Sequence, residues 1–251
     1  VEDIEKVNPD IVVLQEVDFR SKRTYEFNQM AILAQKLKLP YVAYVVMWNK
    51  RYVPYPYWPP KTHFGKVLSG QAVLSRFPIK AQQLYAYEKP EKNPSWYNWF
   101  YIDRQIQKLT IEWQGRDIIL WNIHLEAFVI ESRVEQTKKL VDWIKEEKNP
   151  MQIVAGDFNS ITFFDVNTTE KRLAYYEKRQ EGVKYFTEHS GLTNTEDVLQ
   201  PFYTIPAWKP ERKIDHVFYA KDYFTLEEVR PIDMPIAPSD HVPVYLSLIH
   251  I

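Results

Sequence analysis

Acids, imidazoles and carboxamides, the side chains that hold charge and move protons, stand at the ends of short apolar runs in this chain. In Ile153-Val154-Ala155-Gly156-Asp157-Phe158-Asn159-Ser160 an apolar run closes in a glycine turn, and a carboxylate and a carboxamide follow two residues apart. Alternation along an extended segment sends Asp157 and Asn159 the same way and Phe158 into the core. One brings charge, the other a neutral donor and acceptor, so the strand end reads as an opening into an active site. The run Ile11-Val12-Val13-Leu14 ends in the same manner at Gln15-Glu16. Trp121-Asn122-Ile123-His124 places Asn122 and His124 on one strand face. Asp215 lies in the alternating run Lys213-Ile214-Asp215-His216-Val217-Phe218-Tyr219, where a carboxylate turned inward needs a partner. Ser239-Asp240-His241 follows the turn Met234-Pro235-Ile236-Ala237-Pro238 and precedes a strand beginning at Val242. Singly, each has an ordinary explanation as a strand end, a turn former or a satisfied core histidine. Their joint occurrence, in the order QE, NxH, GDFN, ID, SDH, is not explained that way.

With these five motifs the chain resembles, over nearly its whole length, the endonuclease/exonuclease/phosphatase superfamily. These are metal-dependent phosphoesterases that include deoxyribonuclease I, abasic-site endonucleases, neutral sphingomyelinases and inositol polyphosphate 5-phosphatases. The resemblance implies a four-layer α/β/β/α sandwich of two mixed β-sheets flanked by helices. It implies that Glu16 is the principal ligand of magnesium, with manganese as the substitute, and that Asp240 is a second acidic ligand. Asp157 then orients or deprotonates the attacking water, and Asn159 helps to place it and steadies the phosphate. His241 binds the scissile phosphate, with Asp215 fixing its tautomer and favouring its charged form. His124 is a second phosphate-facing histidine, and Asn122 supports the loop or the phosphate. The implied reaction is in-line attack of water on a phosphodiester without a covalent intermediate. A nuclease of the abasic-site type and a sphingomyelinase-like phospholipid hydrolase are the alternatives, with a catalytically inactive binding module behind them.

The same resemblance raises an expectation about the ends. Family members begin with a strand bearing an Asn at the metal site, and here Val1 stands only fifteen residues before Glu16. That strand is therefore expected to be missing. At the other end, Leu246-Ser247-Leu248-Ile249-His250-Ile251 reads either as a natural closing strand or as the translation of a transposase-end sequencing adapter.

These motifs need a large scaffold, and 251 residues with 45% hydrophobic content suit one α/β domain. No linker or internal repeat interrupts it. With 32 basic and 33 acidic residues there is no overall positive field to hold a polyanion, which counts against a general nuclease. The absence of cysteine removes disulfides and leaves the compartment open. No run of apolar residues is long enough for a transmembrane helix. A signal peptide is left open, and no obligate protein partner is implied.

Hydrophobic periodicity predicts strands over 11–14, 42–47, 69–75, 105–113, 117–123, 152–156, 214–220, 226–231 and 242–248. It predicts a helix over 24–38, with Phe27, Met30, Ala31, Ala34 and Leu37 inward and Pro40 as its stop, and a second over 131–147. Two segments exceed a minimal core. Trp48–Phe64 and Tyr85–Tyr101 are dense in Tyr, Trp, Phe and Pro. They read as loops that form a satellite core, or as an exposed rim that stacks on nucleobases or enters a lipid interface. A phosphate-ester substrate and peripheral membrane contact are therefore the partners expected. Lys50, Arg51, Lys61, His63 and Lys66 offer phosphate contacts in the first segment. Arg104, Arg133 and Gln136 are candidates for the cleft wall, the last two equally readable as solvated helix surface.

Overall fold

The computed structural model describes residues 2–165, 169–197, 202–236 and 238–250. Ala237 of the proline-rich turn and Ile251 of the adapter-like segment lie outside them. The sheet that carries most of the site runs β4 (Ile79–Ala86), β5 (Gln105–Trp113), β6 (Arg116–His124), β7 (Gln152–Asp157), β9 (Asp215–Tyr219) and the short β8 (Thr193–Asn194). β6 and β7 are parallel and the other pairs antiparallel, so the sheet is mixed. β6 is central and buried along nearly its whole length, so the apolar stretch Ile118, Ile119, Leu120 and Trp121 gives way to the buried polar residues Asn122 and His124 at its end.

Helices α4 (Ile130–Glu146) and α6 (Glu181–His189) cover one face of this sheet, packing Leu140, Val141, Ile144, Val183 and Phe186 onto Trp121, Ile123, Val154 and Phe218. The other face meets a second layer through Leu109, Ile111, Ile118 and Leu120 against Ala43, Val73, Ile11 and Val13. That layer contains β1 (Ile11–Asp18), β3 (Gly65–Ser75) and β2 (Tyr41–Val53), in the order β1-β3-β2. Outside it lie α1 (Glu2–Val7) and α2 (Gln29–Leu37), with Ile4, Leu33 and Leu37 on Val12 and Leu74, and the short α3 (Ser95–Asn98) falls in the second aromatic segment. The α/β/β/α sandwich is thus present.

The second layer is not one sheet, however. β10 (Phe224–Pro231) and β11 (Val244–His250) form a separate antiparallel pair. The free edges of β1 and β11 line a common slot of about 790 Å³ together with Phe77, Trp113 and Ile153. Leu246–His250, the described part of the adapter-like segment, pairs as a strand with β10.

Several expectations change here. The helix expected over 24–38 begins only at Gln29, because Tyr25 and Glu26 take positive φ and Asn28 caps Ala31. Phe27 is consequently 61% exposed instead of inward. β4 went unpredicted because its edge position leaves it polar, and α5 (Glu170–Lys178) and α6 because their apolar positions are few. β2 runs on to Val53, so the first third of the first aromatic segment, expected as a loop, is strand. Among the described residues no helix is long and apolar enough to cross a membrane.

Candidate active site

Strand register lines up the site. His124 at the end of β6 is paired with Asp157 at the end of β7, and Asp157 is paired with Asp215 at the start of β9. Three adjacent strands therefore deliver an imidazole and two carboxylates side by side. Phe158 turns the other way, fully buried against Phe186 and Phe218, as alternation predicted. The chain can leave β7 at this point only through Gly156, whose φ is +144° and whose missing Cβ would lie 2.1 Å from Ile123 O. Gly156→Ala is expected to cost more than about 2 kcal/mol, from backbone strain and overpacking together, read as a fall in the urea midpoint.

The second layer supplies the opposing wall. β1 pairs regularly with β3 up to Leu14 and again from Val17, and the bulge between holds Gln15 and Glu16. Glu16 sits in the left-handed region at φ +51°, and this local distortion is stabilised by the pairing on both sides. Its carboxylate comes within 3.7 Å of His124 Nε2, and Asp157 Oδ2 lies 3.5 Å from the same nitrogen. His241, from the loop before β11, directs Nδ1 at both oxygens of Asp215, 3.0 and 2.9 Å away. The partner that an inward Asp215 required is therefore His241.

Burial raises the Asp157 carboxyl and the neighbouring Asp215 raises it further, to about 6, against the opposing pull of His241. Burial disfavours the charged form of His241, but contact with Asp215, helped by Asp157 and Asp240, outweighs it and lifts the imidazole to about 10. His124 goes the other way: burial, then the charges of Arg104 and His241, hold it well below the ordinary histidine range, so it is neutral. The Asp215–His241 pair contributes stability that is complete below pH 6.5 and lost as the pH rises through about 10. Asp215→Asn is accordingly expected to fall furthest behind the native chain in urea midpoint below pH 6.5, with the gap closing toward pH 10.

The donor atoms that come within 4.8 Å of one another are those of Asp157, Asp215 and His241. This is not the pair expected to hold a metal. The group is drawn together by strand register and by the Asp215–His241 hydrogen bonds, while Glu16 lies on the His124 side and Asp240 is exposed at the cleft edge. The chemistry of the donor set nevertheless fits a hard divalent cation. Its carboxylate oxygens are hard donors, and the two carboxylates crowd so closely that one is held partly toward its proton, whereas His241, kept charged by Asp215, offers no lone pair to a metal.

Two expected substrate contacts are placed differently. Asn122 does not face substrate: it is fully buried, accepting from Gln15 Nε2 (2.7 Å) and donating to Leu14 O (3.2 Å) and Gln107 Oε1 (3.0 Å). It shares a strand face with His124, but lies one pair deeper, where the two layers close on each other. Asn159 is at φ +50°, its amide N–H on Asp157 Oδ1 (2.6 Å) and its Nδ2 on Leu125 O (3.0 Å). It braces the turn that carries Asp157. Arg104 is 5% exposed, and its Nε and Nη1 have no hydrogen-bond partner among the described residues. Its charge reaches both His124 and Asp157. Such orphaned donors beside the row suit an anionic oxygen.

Arg133 and Gln136 belong neither to the cleft wall nor to the solvated helix surface. Both are buried, Arg133 Nη1 donating to Glu126 O (2.8 Å) and Gln136 Oε1 accepting from Glu126 N (2.8 Å). Glu126 is the residue that sequence reading missed: a fully buried carboxylate that accepts from Tyr101 OH and Phe128 N. The alternation that singled out His124 pointed to it two residues further on.

The aromatic segments divide. Trp48, Tyr97 and Tyr101 form a satellite core with Val45, Met47 and Ile102, and Tyr85 and Tyr87 stack on Trp143 of α4. Trp58 and Trp99 remain 80% and 74% exposed.

The sequence matches the family model described as Endonuclease/Exonuclease/phosphatase family over residues 1–241, and the chain belongs to that family. An endonuclease/exonuclease/phosphatase from Beutenbergia cavernae is similar in fold, with TM-score 0.71 and 23% identity over 98% of this chain. The match spans 64% of that protein's chain. A Bacteroides thetaiotaomicron mannosyl-6-phosphatase gives TM-score 0.60 and 17% identity over 99% of this chain and 88% of its own. D. rerio TDP2, in complex with a single-strand DNA product, gives 0.59 and 16% over 98% and 88%. A search of curated proteins returned no match.

Proposed function

We propose that the chain is a divalent-metal-dependent phosphodiester hydrolase in which an activated water attacks phosphorus in line. The observation that carries this reading is the row His124, Asp157 and Asp215 on three adjacent strands, faced by Glu16 and His241. Glu16 and Asp240 are the proposed holders of magnesium or manganese. Their carboxylates make no hydrogen bond among the described residues, whereas Asp157 and Asp215 are engaged. When bound, the cation withdraws charge from a phosphoryl oxygen.

The protein's own groups do the rest. Asp157 has Oδ1 occupied by the Asn159 N–H, which leaves Oδ2 to take the proton of the attacking water. With its carboxyl at about 6, it is ionised at neutral pH and well matched to that proton. His241, kept charged by Asp215 on Nδ1, donates from Nε2 to a phosphoryl oxygen. His124 is neutral and its Nε2 faces two carboxylates, so the proton belongs on that nitrogen. Arg104 adds a buried positive charge at the same place.

A second reading, peripheral contact with lipid, is supported by the exposed Trp58 and Trp99. The test is hydrolysis of bis-p-nitrophenyl phosphate, abasic and plain DNA, and sphingomyelin vesicles, with magnesium and again after chelation. Loss of every activity on chelation is expected. Cleavage of vesicles but not DNA would assign the exposed aromatics to a lipid interface, and DNA cleavage would demote that reading. No turnover with any metal would favour a binding module.

A further inference from the structure

A row of carboxamides crosses the apolar space between the two layers. Gln15 Nε2 donates to Asn122 Oδ1 at 2.7 Å, Asn122 Nδ2 to Gln107 Oε1 at 3.0 Å, Gln107 Nε2 to Gln82 Oε1 at 3.1 Å and Gln82 Nε2 to Tyr44 O at 3.3 Å. The row leaves the bulge of β1, passes over β6, β5 and β4, and ends on β2. Strand register puts it there. Gln107 is the direct partner of Asn122 across β5 and β6, and Gln82 lies diagonal to Gln107, beside Leu84, its direct partner on β4.

Every member of the row points the same way, and main-chain carbonyls dictate the direction. A carbonyl oxygen only accepts, so Tyr44 O obliges Gln82 to present nitrogen, which turns the Gln82 oxygen to Gln107 and the Gln107 oxygen to Asn122. Leu14 O and Ala72 O, 3.2 and 3.4 Å from Asn122 Nδ2, impose the same direction at the inner end. Of these acceptors around the Asn122 nitrogen, Gln107 Oε1 is the nearest. Asn122 in turn holds Leu14 O and the Gln15 side chain where the β1–β3 pairing lapses, next to Glu16. Gln107 is fully buried, on the face that otherwise presents Leu109, Ile111, Ile118 and Leu120. An apolar residue at 107 would pack as those neighbours do, so a bonded carboxamide there serves orientation rather than burial.

We infer that Gln107 and Gln82 are positioning residues for Glu16, acting through Asn122 and the β1 bulge to hold its carboxylate where a divalent cation binds. The inference rests on the reading of Glu16 as a holder of that cation. The probe is Mn2+ alone, its free fraction followed by electron paramagnetic resonance, with a urea titration on the same preparations. The proteins are the native 251-residue chain, Gln107→Met, Gln82→Met and Glu16→Gln. Gln107→Met should raise the Mn2+ dissociation constant by about tenfold, and Glu16→Gln by more. Gln82→Met should act in the same direction by a smaller factor, and because Gln82 is exposed it leaves the fold intact if Gln107→Met does not fold. In the metal-free chain, the amides of Gln15 and Glu16 should exchange hydrogen faster in both row variants, with those of β7 unchanged.

Turnover of bis-p-nitrophenyl phosphate is measured in parallel at low and at saturating Mn2+. The row variants should lag behind the native chain at low Mn2+ and regain most of the difference at saturation. A lowered urea midpoint with an unchanged Mn2+ dissociation constant in the row variants would make the carboxamides purely structural and overturn the inference. Native binding that Glu16→Gln leaves intact, or no Mn2+ binding by the native chain, overturns it as well. Binding that depends on Gln107 with no turnover would leave the row standing and remove the hydrolase reading, whereas turnover with binding indifferent to Gln107 and Gln82 would do the reverse.

Discussion

Asp157→Asn is expected to lower kcat on an activated phosphodiester by about 10³-fold while leaving the protein at least as stable as the native chain. The two effects have separate causes. The substituted carboxamide keeps an oxygen to accept the Asn159 N–H at the position of Oδ1, so the turn that follows β7 keeps its brace. What disappears is the only group in the row with a free oxygen and a carboxyl at about 6, and with it the acceptor for the proton of water. The native carboxylate is buried and repelled by Asp215, so removing its charge relieves a cost of folding. A steady-state assay and a urea titration on the same preparation decide the matter. Retained turnover would remove Asp157 from the mechanism, and lost turnover with lost stability would make it a structural residue.

Asn122→Leu is expected to act on the fold instead, lowering stability by about 3 kcal/mol. The Asn122 carboxamide is the polar bridge between the layers: β6 reaches through it to β1 at Gln15 and Leu14, and sideways to Gln107 on β5. An apolar replacement strands Gln15 Nε2, which is half-buried, and the fully buried Gln107 Oε1, and a buried polar group left unmade costs roughly 1–3 kcal/mol. Glu16 stands next to Gln15 on the bulge, so turnover should fall as well, through misplacement of its carboxylate. A residue that touched substrate would give the opposite pattern, a raised KM at unchanged urea midpoint. The two assignments of Asn122 are separated by that comparison.

These two residues mark the boundary between what one dimension reports and what three decide. Asp157, Phe158, His124 and Asp215 could be read from the chain because side chains alternate along a strand, and a polar group on an inward face must be there for a partner or a reaction. The layered α/β architecture followed from the same periodicities together with the family resemblance, as did both main helices, though the first begins later than its pattern suggests. Asn122 obeyed the same alternation as His124, yet the depth of each along the shared face depends on where β1 and β3 cross β6, and local spacing carries no information about that crossing. Arg133 and Gln136 looked like helix surface because charge and polarity normally mark it. Only the packing of α4 over the Glu126 turn shows that their hydrogen bonds are made inside.

The amino-acid sequence by itself therefore determined the family, the strand ends and the acids and imidazoles available for chemistry. Tertiary structure alone decided which of them share a row, which brace the layers, and that Arg104 holds, beside the row, donors without a hydrogen-bond partner among the described residues. The physical reason is that propensity and periodicity are set by neighbours in the chain, whereas burial, hydrogen-bond partners and the shifts of Asp157 and His241 are set by residues tens of positions away.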